Sequence, residues 1–342
     1  MEPFTHGLAS LALARAADKH LPHFGTLMVV ASGLAADLDY ASYFAGPSAF
    51  LRFHRTALHS LPGSVITASA IAGAFVAINR KLARERPENP EALLRFGPAF
   101  AACAIGVSGH LLLDLASGIG VQLLWPFRVR WYAWDLATNL DPWILVLLIA
   151  GLLLPQLFAL VTEEIGARKK NTRGWRGAVI TLLLLAAYFG ARANLHSQAV
   201  DLLLSREYGG RVPLSAGAFP SASTPFNWRG VVVTDNTIEE VEVPVGPGAE
   251  FDPDRSLTRF KPEDSPALAA GEHAAATERF LKYARFPLAI VDRAEDAYRF
   301  QVRDLRFAHD DMSPANILVC VDLNSSLQVT RQEFRFASSS NP

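Results

Sequence analysis

Within the first 200 residues, four stretches (61–79, 97–116, 142–161 and 177–195) run for about 20 residues with few or no charges. That is the length a helix needs to cross a bilayer core of roughly 30 Å. No other feature of the chain restricts its fold as strongly. Backbone in lipid must satisfy its own hydrogen bonds, and only helices and closed barrels do so. The third and fourth stretches hold the uncharged runs 144–150 and 178–187. The second carries His110 and Asp114, which are costly in lipid and therefore point to function. Two weaker apolar stretches, 7–17 and 26–38, are too short to span and read as shorter helices packed against the others.

Charge density separates the chain into two parts. Of its 65 charged residues, 29 lie in residues 1–200 and 36 in residues 201–342. The first density suits a membrane protein and the second an ordinary soluble domain. Past residue 205 the texture turns to alternating strands and turns, with strands expected at 231–233, 238–243, 298–307 and 317–321, a helix over 272–285 and a turn-rich linker at 213–225. The expected fold is thus a membrane α-helical bundle over 1–200, with about four long spans and two shorter N-terminal helices. A strand-rich α+β domain outside the membrane is expected over 206–342. A net charge of −1 argues against a nucleic-acid partner, whereas membrane lipids are expected partners. Two cysteines, Cys103 and Cys320, make neither a disulfide framework nor a zinc ribbon. The opening Met1-Glu2-Pro3 has no basic region, and His6 and Arg15 interrupt the first apolar stretch, so it does not read as a signal peptide.

Basic residues at 80–86 and 168–173 flank the long stretches and place both loops in the cytoplasm. Segments 37–60 and 117–141, and everything after 195, then fall on the opposite side. Arg128 and Arg130 weigh slightly the other way.

The polar residues of the first part are few and chemically consistent: His6, Asp37, Asp39, His54, Arg55, His59, His110, Asp114, Asp135 and Asp141. Imidazoles and carboxylates without thiolates suit zinc, manganese or iron. His110 and Asp114, four apart, share a helix face, so both can hold one metal or one can orient the other. His54 and His59, five apart, lie about 140° around a helix and need a bend or separate partners. Asp37 and Asp39 stand at a helix end, where a cap or a solvated turn is the alternative. Asp141 before Pro142 fits a helix N-cap as well as a catalytic role. Arg55 can fork onto an anionic oxygen or sit at the lipid interface. In the inferred topology, all the groups lie at the non-cytoplasmic ends of their segments.

Several short motifs occur in a fixed order: Met1-Glu2-Pro3-Phe4-Thr5-His6-Gly7, Asp37-Leu38-Asp39, His54-Arg55 with His59-Ser60, His110-Leu111-Leu112-Leu113-Asp114, Trp125-Pro126-Phe127, and Asp135 with Asp141-Pro142. In this order the chain resembles the YdjM-type family of inner-membrane metal-dependent hydrolases, some members of which are described as LexA-binding. The likeness is dense over about residues 1–160 and extends loosely to Asn227-Trp228-Arg229. Ala36 stands where the family often has Pro, and Thr56 and Leu58 where it often has Gly and Thr. The resemblance implies a multi-pass protein of the bacterial inner membrane and a divalent metal, zinc above manganese or iron. His6, Asp37, His59, His110 and Asp114 are its foremost candidate ligands, with Asp39 and His54 next and Arg55, Asp135 and Asp141 as catalytic candidates. The expected reaction is hydrolysis of a phosphoester or other ester in a lipid or envelope-associated substrate. An ion- or proton-coupled transporter or channel, or a regulatory membrane anchor with a structural metal and an unidentified protein partner, are the alternatives.

Overall fold

The apolar stretches fold as helices. The structure, a computed structural model, describes residues 1–85, 93–164, 174–246, 248–294, 297–308, 313 and 315–337. The whole basic loop expected over 168–173 lies outside the described residues, as do Arg86 and residues 338–340; residues 80–85 of the other expected loop are helical instead, at the end of the first long helix. Helices α1 (Pro3–Ala17) and α2 (Gly25–Ala35) lead into a 3-10 segment, Ala36–Ala45, and the short α3 (Pro47–Phe53). Four longer helices come next: α4 (Leu61–Glu85), α5 (Phe96–Ala116), α6 (Pro142–Glu164) and α7 (Trp175–Leu204). Among the described residues, three helices are long and apolar enough to cross a membrane: Leu61–Arg84, Phe96–Ala116 and Trp175–Leu204. In α6 the stretch Pro142–Phe158 is apolar but falls short of that length.

The chain divides into two compact units, Met1–Asp39 with Arg55–Arg192 and Tyr40–His54 with Ala193–Pro342. In the first, α1 lies between two apolar cores. Its Ala14 joins Met28 and Val29 of α2, Ala68 and Ala72 of α4, and Ala102, Cys103 and Val107 of α5. Its Ala9 and Ala12 join Leu113 of α5, Ile144 and Leu148 of α6, and Leu185 of α7. Alanines and Cys103 make up much of the first core, as expected where lipid removes the hydrophobic drive and close van der Waals packing must hold helices together, whereas leucine and isoleucine fill most of the second. The 25-residue connection between α5 and α6 is folded: Val121 and Tyr132 exchange two backbone hydrogen bonds of 2.9 Å.

The second unit holds two four-stranded antiparallel meanders. One runs β1 (Ser215–Pro220), β2 (Asn227–Val233), β3 (Thr237–Pro244) and β4 (Leu257–Phe260). The other runs β5 (Pro287–Ala294), β6 (Ala297–Asp304), β7 (Ile317–Leu323) and β8 (Val329–Phe336). The short α8 (Pro266–Glu272) and α9 (Ala275–Leu281) connect the sheets in sequence. Three expectations are corrected by the fold. The linker expected at 213–225 contains β1, whose Ala218 and Phe219 are buried. The single helix expected over 272–285 breaks at Ala274, whose backbone is extended (ψ 139°). The strand expected over 298–307 stops at Asp304, whose carboxylate accepts from the Arg306 N–H and turns the chain into a 3-10 element.

Candidate metal centre

His110 and Asp114 occupy the final turns of α5, where the first is 2% exposed and the second fully buried. Three other segments of the same unit close on them. They are α1, which carries His6, the 3-10 segment with Asp37 and Asp39, and the turn before α4 with His59.

All three rings are oriented alike. His110 Nδ1 lies 2.7 Å from the Gly33 carbonyl oxygen, His6 Nδ1 2.9 Å from Asp37 Oδ2, and His59 Nδ1 3.0 Å from Asp39 Oδ2. A carbonyl or carboxylate oxygen only accepts, so the Nδ1 atoms of His110 and His6 donate and these rings, when neutral, keep their Nε2 lone pairs, while His59 Nδ1 faces Asp39 Oδ2 at ion-pair distance. Those three Nε2 atoms converge on Asp114. His59 and His110 approach Oδ2 at 3.0 and 3.2 Å, and His6 approaches Oδ1 at 3.4 Å. His6 Nε2 and Asp37 Oδ1 are buried and make no hydrogen bond, which is costly for a polar atom unless something else satisfies it. By donor spacing, two overlapping groups can hold a cation, His59–His110–Asp114 and His6–Asp37–His110. The donor set of imidazole and carboxylate fits a divalent transition ion.

Burial by itself would lower the His59 pKa. Hydrogen bonds to Asp114 and Asp39 outweigh it and push the ring up to about 9, so without a metal ion a proton takes the cation's place. The Met1 ammonium also pairs with Asp114 Oδ1. Burial and the Arg55 charge lower its pKa to about 6 against the opposing pull of Asp114.

Arg55 is fully buried, which removes the lipid-interface alternative. Its guanidinium reaches Asp114 Oδ1 at 2.8 Å and donates to Ser117 Oγ at 2.6 Å, the Met1 carbonyl at 3.2 Å and Asn139 Oδ1 at 3.4 Å. Its backbone N–H donates to Asp39 Oδ2 at 2.8 Å. Arg55 therefore ties Asp114 to the carboxylate that orients His59.

Close helix approach places the Gly33 carbonyl. A Cβ on Gly33 would collide with Ser10 Oγ, and one on Gly106 with the Val29 carbonyl and Ser32 Oγ. Gly106 is one turn before His110, so the two glycines let α2 backbone reach the imidazole directly. Sequence reasoning missed Gly33, Gly106, Ser117 and Asn139. The signal available for the glycines was their small size within apolar helices.

The other candidates go elsewhere. His54 belongs to neither cation-holding group; its buried ring packs 4.4 Å from Tyr40 and 4.3 Å from Phe50. Asp141 caps α6, accepting from the N–H groups of Trp143 and Ile144 at 3.1 and 3.2 Å. Asp135 is buried with a left-handed backbone (φ 56°) and joins neither group.

Fold and cluster together describe a helical membrane protein with a buried His/Asp site able to hold a metal ion. The chain belongs to the YdjM inner membrane protein family, which matches residues 1–199 and so covers the helical region but neither sheet. No curated protein and no solved structure matches the chain.

Proposed function

We propose that the protein is a membrane-embedded metal-dependent hydrolase acting on a phosphoester or other ester of a lipid or envelope-associated molecule. One observation carries the reading: three imidazoles, each with Nδ1 against a carbonyl or carboxylate oxygen, aim their Nε2 atoms at the single carboxylate of Asp114. In this reading His6, His59, His110 and Asp114 hold the ion, zinc in first place. Asp37, Asp39 and the Gly33 carbonyl orient the rings, as outer partners of metal-bound histidines do. A divalent ion there supplies Lewis-acid polarisation of an ester oxygen and acidifies water. The chain's own residues hold the rings in one tautomer and keep bulk water from the donors. Arg55 fixes the Asp114 carboxylate.

Four spans, formed by α4, α5, α6 and α7, bring the strand-rich unit to the non-cytoplasmic side and complete the proposed inner-membrane topology. The cluster lies at the α5 C-terminus rather than at mid-helix, which supports a surface-facing site over an ion pathway. A second reading, a structural metal in a membrane anchor, is favoured by the near-complete burial of all four donors, since structural sites are closed. Two measurements separate the readings. Metal analysis of purified protein comes first, then a screen of phosphoester and acyl-ester substrates against wild type and His59→Ala. Turnover that tracks metal content supports the hydrolase. Stoichiometric metal with no turnover on any substrate supports the anchor, and no metal in the wild type sinks both.

A further inference from the structure

The connection between α5 and α6 ends in a feature that the metal cluster does not use. The segment 125–130 (Trp-Pro-Phe-Arg-Val-Arg) is exposed along its whole length, with Phe127 at 83%. A large ring that open to water needs a reason when it sits on a well-braced turn. The bracing is extensive. Val121 and Tyr132 pair across the base, and Trp125 and Arg128 donate to the carbonyls of Gln122 and Leu124 at 3.1 and 3.0 Å. Gln122 N–H is bonded to the Arg55 carbonyl at 3.0 Å, and Leu61 N–H, at the start of α4, to the Leu123 carbonyl at 2.9 Å. The tip is thus fixed to the end of the bundle where α4 begins, α5 stops and α6 begins.

Its composition names the surroundings. From Phe127 onward apolar and basic residues alternate, the period at which side chains of an extended segment point to opposite sides. Trp134 and Trp143, at the same end, are 48% and 41% exposed, and exposed tryptophans gathered at one end of spanning helices mark the headgroup level of a bilayer. Arg128 and Arg130 are exposed, and neither has a carboxylate partner among the described residues. Residues 115–134 contain no acidic side chain. The Arg130 guanidinium lies over the Tyr132 ring at 5.6 Å, which leaves its charge unneutralised. Apolar side chains interleaved with guanidinium groups that lack a carboxylate match acyl chains and phosphates together, whereas a water-soluble anion would leave Phe127 unexplained.

We propose that the 121–132 hairpin is an interfacial anchor for anionic phospholipid. Trp125 and Phe127 seat among the headgroups and upper acyl chains, and Arg128 and Arg130 pair with lipid phosphates. The proposal deepens the hydrolase reading and rests on its premise that α5 and α6 cross the bilayer: it places anionic phospholipid at the end of the bundle that carries the metal cluster. Guanidinium groups suit this task because their planar fork matches phosphate oxygens.

The test uses the full chain in nanodiscs, with the buried Cys103 and Cys320 left in place and a fluorophore on Phe127→Cys. Nitroxide-labelled phosphatidylglycerol and phosphatidylcholine, each carrying the nitroxide at a shallow or a deep acyl position, serve as quenchers. Shallow labels should quench more than deep ones, and phosphatidylglycerol more than phosphatidylcholine. Removing both arginines (Arg128→Gln with Arg130→Gln) should abolish the headgroup preference, about five-fold for each arginine, and leave the metal content unchanged. Quenching by aqueous iodide in place of lipid, or shielding from both, would overturn the anchor, and shielding would point to a protein partner. A phosphatidylglycerol preference that survives the double substitution would overturn the role of the arginines. The same fluorophore on Leu183→Cys in α7 reports on the bilayer itself. If it too escapes lipid quenching, the membrane-spanning premise has failed, whereas quenching there with none at position 127 condemns the hairpin proposal alone.

Discussion

His59 and His110 bring their Nε2 atoms to 3.0 Å of each other, with Asp114 Oδ2 at 3.0 and 3.2 Å from the pair. Two bare lone pairs at that distance repel, so something positive must lie between the rings. A proton on His59 satisfies the pair in one state and a divalent ion in the other. Proton and metal therefore compete for one place, and pH becomes a handle on the site.

With His59 raised to about 9, metal binding below that pH must expel a proton. Metal affinity should rise about ten-fold per pH unit between pH 7 and 9, then level off. The stability of the metal-free protein should move the other way. A ring whose folded pKa is raised contributes fully below its unfolded value of about 6.5, and that contribution is lost as pH climbs through about 9. Chelator-competition titrations and thermal unfolding with and without chelator would check both slopes. A flat affinity profile from pH 7 to 9 removes the shared place.

Asp37 and Asp39 touch Nδ1 atoms, on the far side of the rings from Asp114. Asp37→Asn and Asp39→Asn should each weaken metal binding about 10–100-fold without changing the number of ions bound, because outer partners tune ligands rather than replace them. His6→Ala and His59→Ala should reduce the stoichiometry itself. Elemental analysis beside affinity measurement distinguishes the two patterns. A lost ion in Asp37→Asn would make that carboxylate a ligand.

Much of this arrangement is legible in the sequence because it is short-range or compositional. Helices of membrane-spanning length come from apolar length, the shared face of His110 and Asp114 from a spacing of four, and the α6 cap from Asp141 before Pro142. What sequence does not show is which nitrogen of each ring faces which oxygen. That depends on the 3-10 segment after α2, which sends Asp37 to His6 and Asp39 to His59, two partners 53 residues apart. Spacing also misleads at His54. It is adjacent to Arg55, yet the chain turns at Arg55 (φ 56°), and the His54 ring packs with Tyr40 and Phe50. In the second unit β8 escapes sequence reasoning because its segment, with Arg331, Glu333 and Arg335 exposed or half-exposed, lacks the apolar alternation of a core strand.

Gly106 offers a test of the site from outside the donor set. Gly106→Leu adds a side chain where only hydrogen fits against α2, so α2 must retreat and take the Gly33 carbonyl away from His110 Nδ1. Overpacking of this kind costs about 1–3 kcal/mol, and the freed ring should bind metal at least several-fold more weakly. Gly109→Leu, which faces only the flexible end of Leu13, should be milder on both measures. Equal effects from the two substitutions would mean that Gly106 contributes packing alone.

Arg55 is the residue whose role the structure revises most. Its place in the sequence, four residues before His59, suggests a guanidinium held ready for an anionic substrate. In that role Arg55→Lys would keep metal and fold and lose turnover. The folded chain shows the guanidinium already engaged by Asp114, Ser117, Asn139 and the Met1 carbonyl, without solvent exposure. A lysine ammonium is a single point and cannot reach partners spread around a planar fork. Arg55→Lys should therefore leave buried acceptors unpaired, at about 1–3 kcal/mol each, and loosen Asp114 enough to lower metal affinity before any substrate is added. Arg55→Met, which takes from Asp114 a buried charge that the Met1 ammonium and His59 replace only in part, should be worse, by up to about 3–5 kcal/mol. Unfolding of the detergent-solubilised protein, paired with metal analysis, reads both effects. If Arg55→Lys unfolds like wild type and holds a full complement of metal, while turnover on a substrate found by screening disappears, then Arg55 serves the substrate and its positioning role is wrong.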